Sequence, residues 1–310
     1  MFYQSISGVL VILGLIAVGY VLALRGWFSA ETSQFLSRLV TQLALPCYMV
    51  VTIVERFSAR DLLDMLPNLR FPVLSMVILL ALAMALAQVF AVDPSHRGLF
   101  VSMFFNSNTV FVGLPVNQAL FGDQSIPYVL VYYMCNTTFF WTLGIYLIQR
   151  DGQGQAGLKL SDSLKKIFSP PLLGFLLGLL LVLLGLELPK VLLTDLTYLG
   201  NLTIPLSMLF IGIAIARAGM RNLRLGKDHI LILLGRFVMA PLVMAAILAL
   251  VDAPALMKQV FIVQSAMPVM TNAPVVAKLY GADSQYAAIM VAETTLGMLV
   301  VVPLLMGLIG

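Results

Sequence analysis

Apolar residues run through this 310-residue chain in long blocks, separated by short polar stretches. Read between charges, the first half gives Phe2–Leu24, Leu39–Val54, Phe71–Val92, Gly98–Gly122 and Gln124–Gln149. The second half gives Ile167–Leu186, Leu196–Ala216, Ile230–Val251, Gln259–Ala277 and Tyr286–Ile309. An α-helix crosses a bilayer core with about 20 residues, so the pattern predicts ten membrane-spanning helices. Strands of a barrel are not predicted, because the blocks lack the alternation of lipid-facing and lumen-facing residues. The eighth block contains Arg236 and the tenth Glu293, which makes these two spans marginal. The first block has no basic leader and is too long for a signal peptide, so it is expected to be retained as a span.

The blocks repeat. Pro46 recurs 159 residues later as Pro205, Val92-Asp93 as Val251-Asp252, Pro115 as Pro274 and Gly122 as Gly281. The frame holds from Gly19 and Gly178 onward, so the chain reads as two copies of a five-helix unit, residues 1–149 and 167–310. Residues 150–166 join them as a linker on the cytoplasmic side, flexible in composition through Asp151–Gly157. A unit with an odd number of spans places its second copy upside down, so the repeat is inverted.

Composition agrees and narrows the picture. Hydrophobic residues make up 61% of the chain and charged residues 10%. With the N-terminus outside, thirteen of the 18 Lys and Arg fall on the inner side, including Arg25, Arg97, Arg150 and Lys227. Arg38 and Arg236, near inner ends, are expected to anchor by snorkelling. Basic residues accumulate in cytoplasmic loops, so both termini are expected outside a multi-pass protein of the inner (plasma) membrane. The net charge of +4 reflects that bias and not a nucleic-acid surface. Cys47 and Cys135 lie within spans without metal-ligand spacing and are expected to be structural.

The fourth and ninth blocks carry the candidate chemistry. One reads Phe105-Asn-Ser-Asn-Thr-Val-Phe-Val-Gly-Leu-Pro115, the other Gln264-Ser-Ala-Met-Pro-Val-Met-Thr-Asn-Ala-Pro274. Each places a polar cluster and a Gly or Asn just before the shared proline, which removes a helix donor and clashes with the carbonyl four residues back. A helix broken at mid-membrane exposes an N-terminus carrying roughly half a positive charge. Two such ends from inverted copies are expected to meet and to suit a carboxylate. Paired broken helices of this kind point to a transporter's binding site. Asn106, Asn108, Thr109, Gly113, Pro115, Met267, Thr271, Asn272 and Pro274 are the candidate substrate-binding residues. Pro46 and Pro205, in apolar surroundings, are either structural kinks or walls of the site.

Asn108-Thr109 with Gly113-Leu-Pro115, and Met267-Pro268 through Pro274-Val-Val-Ala-Lys278-Leu-Tyr280, resemble the two crossovers of the auxin efflux carrier family over essentially the whole chain. That resemblance implies an all-α polytopic membrane protein of ten transmembrane helices in a 5+5 inverted repeat with two broken crossover helices. It implies a fold similar to bile-acid sodium symporters and sodium/proton antiporters, with spans one, two, six and seven as scaffold and homodimer face. It further implies elevator-type alternating access and small organic anion substrates, such as malate or malonate in bacterial members and auxin in plant members. Asn106 stands where the family often has glycine, and the central loop is far shorter than in plant carriers, which points away from auxin and toward a bacterial member.

Glu293 occupies a costly position for a charge, where acidic residues are usually functional. Its repeat equivalent is Met134, beside Asn136, Thr137 and Thr138. Glu293, Asn136 and Thr137 are therefore candidates for coupling to a proton or a sodium ion. The alternative is that Glu293 is neutralised by a neighbouring base such as Lys278. No cofactor is expected. An enzyme is not expected either: His96 and His229 are placed in loops, and no aspartate-rich motif for magnesium pyrophosphate is present. A sodium/proton antiporter or sodium symporter of the same fold, and a non-transporting membrane sensor, are the competing readings.

Overall fold

Proline decides where the helices of this protein continue and where they break. The computed structural model describes residues 14–152, 170–218 and 226–309; the start of the first block and most of the 150–166 linker lie outside them. In chain order the helices are α1 (Gly14–Leu24), α2 (Ala30–Leu39), α3 (Leu45–Arg56), α4 (Ala59–Met65), α5 (Arg70–Val89), α6 (Arg97–Phe105), α7 (Gly113–Phe121), α8 (Ile126–Phe139) and α9 (Ile145–Asp151). They continue as α10 (Pro170–Leu183), α11 (Lys190–Gly200), α12 (Thr203–Ala218), α13 (Lys227–Leu234), α14 (Ala240–Ala249), α15 (Ala255–Ser265), α16 (Ala273–Tyr280) and α17 (Ser284–Ile309). The described residues form no strand beyond one isolated bridge, between Ser107 and Val269.

Two prolines are carried through continuous helix by a π turn placed just before them. Residues 40–44 form such a turn, with the Leu45 N–H reaching the Val40 carbonyl, and Pro46 follows. Residues 235–239 repeat the device, with the Ala240 N–H on the Gly235 carbonyl and Pro241 next. A proline ring collides with the carbonyl four residues back; here that carbonyl sits in the wider i→i+5 turn, which opens the helix locally. Pro205 falls in the first turn of α12, where a missing N–H costs nothing. Pro46 and Pro205 are thus both absorbed by local backbone adjustment.

Among the described residues, five stretches are long and apolar enough to cross a membrane: 34–56, 66–89, 190–217, 227–249 and 284–309, of 23 to 28 residues. They correspond to the second, third, seventh, eighth and tenth blocks. The fifth block is helical from Ile126 to Asp151 through a π turn at 140–144. The fourth and ninth blocks are each two half-helices, α6/α7 and α15/α16.

The chain divides into two compact units, and each takes corresponding stretches of both halves. Among the described residues, one unit comprises 14–67 and 170–217, the other 68–152, 218 and 226–309. In the first, glycines set the approach of backbones. A Cβ at Gly174 would strike the Pro46 backbone, one at Gly200 the Tyr48 backbone, and one at Gly212 the backbones of Ile16 and Gly19. Small residues at helix contacts are how helices associate where lipid is as apolar as leucine.

In the second unit, chain ends gather at two poles. At one, Asp151 accepts from the Gly98 and Leu99 N–H groups (2.8 and 2.6 Å), capping α6. Burial holds that carboxyl above its ordinary range, more strongly than these two bonds lower it. His96, Asp228 and Tyr286 lie at the same pole. At the other, the Gln259 amide donates to the Ile309 carbonyl (3.0 Å).

Replacing Gly212 by Val should destabilise the protein by about 1–3 kcal/mol, the usual cost of overpacking. Gly14→Ala, with open space around its new Cβ, should leave the melting midpoint of detergent-solubilised protein unchanged. Equal midpoints for the two variants would contradict close backbone contact at Gly212.

Candidate functional site

α6 stops at Phe105 because Asn106 turns extended (φ −94°, ψ 140°), and α7 restarts at Gly113. α15 stops at Ser265 and α16 restarts at Ala273. The two intervening segments, 106–112 and 266–272, cross and pair through the antiparallel bridge of Ser107 with Val269. The Asn108 N–H donates to the Pro268 carbonyl at 2.8 Å. Unwound backbone at membrane depth is tolerated only where its polar groups find protein or water partners.

Side chains supply those partners. Asn136 of α8 clasps Ser107, its Oδ1 accepting from the backbone N–H (2.9 Å) and its Nδ2 donating to the carbonyl (2.7 Å). In the second half, Thr294 of α17 accepts from the Val269 N–H (3.0 Å) and donates to the Met290 carbonyl (2.7 Å). Each half therefore uses its last helix to hold its own crossover. Gln264 ties the two segments: its Nε2 donates to the Thr109 carbonyl (3.2 Å), and its own carbonyl accepts from Ser107 Oγ (3.3 Å). Gly113 leaves the space that the Gln264 amide occupies, since a Cβ there would make that amide shift.

The largest fully buried side chain is Arg236, in the π turn between α13 and α14. Its Nε and Nη2 donate to the Met267 carbonyl (3.1 and 2.9 Å), Nη1 donates to the Phe104 carbonyl (3.0 Å), and Nη2 also reaches the Ser265 carbonyl. These acceptors lie at and just beyond the C-terminal ends of both first half-helices, where the helix dipoles are negative. The expected snorkelling anchor is corrected: Arg236 points to the crossover and its charge is enclosed. The π turn explains the reach, because an extra residue in the turn re-aims the side chains around it. Gly235 clears the way, its missing side chain leaving room for the Phe104 ring.

All nine candidate substrate residues lie on the crossovers or their restarts. Asn108 and Thr109 are buried, and Asn108 Nδ2 approaches Thr271 Oγ1 at 3.5 Å. Thr271 and Asn272 are half-buried. Asn106 bonds back to the Ser102 carbonyl (3.1 Å), leaving its buried Oδ1 without a partner. Met267 contributes its carbonyl to Arg236. Pro115 and Pro274 sit in the first turns of α7 and α16. Asn136 is a backbone clasp, and the Thr137 hydroxyl is buried without a partner.

Glu293 is placed elsewhere. Its Oε2 lies 2.9 Å from His229 Nδ1, so a base does sit beside it, and that base is His229. His229 belongs to the first turn of α13 and not to a loop. Sequence reasoning passed over Arg236, Gln264, Thr294 and His229. For the first three a signal existed, a polar residue inside an apolar block that repays its desolvation only by bonding.

The chain belongs to a family of membrane transport proteins, the auxin efflux carrier-like transporters, whose description, membrane transport protein, matches residues 4–306. It is 28% identical over 302 residues to an uncharacterized transporter of Methanocaldococcus jannaschii, covering 96% of both chains. It is also 28% identical over 309 residues to an uncharacterized transporter of Methanothermobacter thermautotrophicus, covering 98% of both.

Replacing Asn136 by Ala should orphan the Ser107 N–H, whereas the Ser107 carbonyl keeps the Thr109 N–H (3.0 Å). At about 1–3 kcal/mol for a buried group left unpaired, N136A and T294V, which orphans the Val269 N–H, should each lose stability of that order. Thermal melting of both variants checks this, and a midpoint equal to the wild type in either would contradict the clasp at that crossover.

Proposed function

We propose that this protein is a secondary transporter of small organic anions that binds a carboxylate at the two crossovers. The observation that carries this reading is the enclosed Arg236. Each helix end carries roughly half an elementary charge. The C-termini of α6 and α15 together present about one negative charge, and Arg236 offsets it with one positive charge. The N-termini of α7 and α16 then present about one positive charge with no counterion. Among the described residues, the only buried charged side chains are Arg236 and Glu293, and Glu293 is bonded to His229. The site is thus suited to one carboxylate, with Asn108, Thr109, Thr271 and Asn272 donating around it.

On this reading the fold is the ten-span 5+5 inverted repeat, working by elevator-type alternating access as a homodimer. The unit that holds both crossovers carries the substrate. Malate, malonate and auxin-like acids are the substrates to test. Sodium coupling is disfavoured by the same arginine. Half-helix C-termini and unwound carbonyls are the groups that coordinate sodium in transporters of this architecture, and here a guanidinium holds them.

Counterflow of labelled malate, malonate and indole acetate into proteoliposomes tests the proposal. One acid should show saturable exchange, and Asn108→Ala should reduce it by at least tenfold, matching the roughly 1.5–3 kcal/mol of a hydrogen bond to a charged group. Saturable exchange in N108A equal to the wild type would remove the site from the crossovers. Replacing sodium by choline should leave the flux unchanged; a sodium-dependent flux would contradict the role given to Arg236.

A further inference from the structure

Two histidine–carboxylate pairs meet at one pole of the crossover unit, and nothing in the anion site uses them. His96 Nε2 lies 3.0 Å from Asp228 Oδ2, and His229 Nδ1 lies 2.9 Å from Glu293 Oε2. All four side chains are at most 15% exposed. The buried Tyr286 ring joins the pairs, stacked on His96 at 4.1 Å and edge-on to His229 at 5.1 Å. These are the only two histidines in the chain. Asp228 Oδ1 and the Tyr286 hydroxyl are buried without a hydrogen-bond partner.

We propose that this cluster, His96–Asp228 and His229–Glu293 bridged by Tyr286, is the proton-binding site that couples anion transport to pH. The proposal rests on the anion-transport reading and adds the coupled ion. With both imidazoles neutral and both carboxylates ionised, the cluster holds two negative charges in a poorly hydrated place. Each proton taken from water onto an imidazole nitrogen converts one pair into a neutral imidazolium–carboxylate pair. Imidazole is the side chain whose charge ordinarily changes between pH 5 and 8, and both imidazoles contact the one Tyr286 ring.

Among the described residues, five further charged groups lie around the cluster. Lys227 lies 4.0 Å from Asp228 Oδ1, but it is half exposed and donates to the Phe90 and Ala91 carbonyls. Asp93 and Arg97 flank His96 in the chain and offset each other, and Arg97 donates to the Val92 carbonyl. Asp151 faces His96 from α9, and Asp283 faces Tyr286 from the start of α17, each adding negative charge.

The cluster connects to the anion site through short rigid paths. Glu293 and Thr294 are consecutive on α17: one meets His229, the other holds the Val269 N–H of the crossover. His96 immediately precedes α6, whose far end offers the Phe104 carbonyl to Arg236. A change in either pair therefore bears on residues that hold the crossover.

Two measurements on tag-free, full-length protein test this. Histidine-selective NMR in detergent should show two titrating imidazole resonances whose midpoints depend on each other. Glu293→Gln should move the His229 resonance and weaken that dependence, and Asp228→Asn should do the same from the His96 side. Two independent titrations, unaltered by either variant, would overturn the proposal. In proteoliposomes, a one-unit pH gradient should sustain about a tenfold accumulation ratio per coupled proton. His229→Gln should abolish that accumulation while retaining counterflow exchange, which shows that it is folded; His96→Gln should reduce it. Accumulation at the wild-type ratio in both histidine variants would also overturn the proposal. If no acid is transported by the wild type, mutually dependent titration would keep the proton site and reject the anion reading, and independent titration would reject the proton site as well.

Discussion

The contact between Arg236 and the carbonyls of Phe104, Ser265 and Met267 is what the rest of the crossover depends on. Breaking two helices at one place leaves the negative ends of both facing each other in a low-dielectric interior. A polar neutral side chain would satisfy one carbonyl, and a lysine would bring a compact charge without a planar fork. The guanidinium presents several donors in a fixed plane and reaches three carbonyls from two helices. A buried charge of this kind is costly alone, and replacing one partner leaves the other exposed to the full desolvation penalty. Arg236 and the broken helices therefore stand or fall together.

Once those ends are held, smaller groups finish the arrangement. Asn136 imitates a neighbouring strand for Ser107, giving both an acceptor and a donor, and Thr294 does half as much for Val269. The inequality follows from chemistry: an amide has both functions to spare, whereas the Thr294 hydroxyl spends its proton on the Met290 carbonyl. Gln264 then links one crossover to the other, in space that Gly113 leaves open.

Much of this was legible in the sequence because of periodicity at two scales. Blocks of about 20 apolar residues marked the helices, and the 159-residue repeat marked Pro115 and Pro274 as a matched pair. Asn108, Thr109, Thr271 and Asn272 were legible because polar groups cluster in hydrocarbon only with a reason. Arg236 was misread because its place near one end of a block allows snorkelling as readily as burial. The direction of its side chain is set by the π turn at 235–239, which no local composition announces. The pairing of Glu293 with His229 spans 64 residues and two helices, and only tertiary structure brings the two together.

The two sites make electrical sense as a pair. Moving one elementary charge through 100 mV is worth about 2.3 kcal/mol. A crossover that offers about one positive charge is neutralised by a monoanion, so the anion site itself then adds little electrical work. A dianion leaves one negative charge uncompensated, and its passage would follow the membrane potential outward unless that charge is met. A proton on the histidine–carboxylate cluster meets it without entering the anion site. On this reading the separation of the two sites is functional: the crossover keeps a fixed charge that selects the class of substrate, and the cluster holds a variable one that sets the direction of transport.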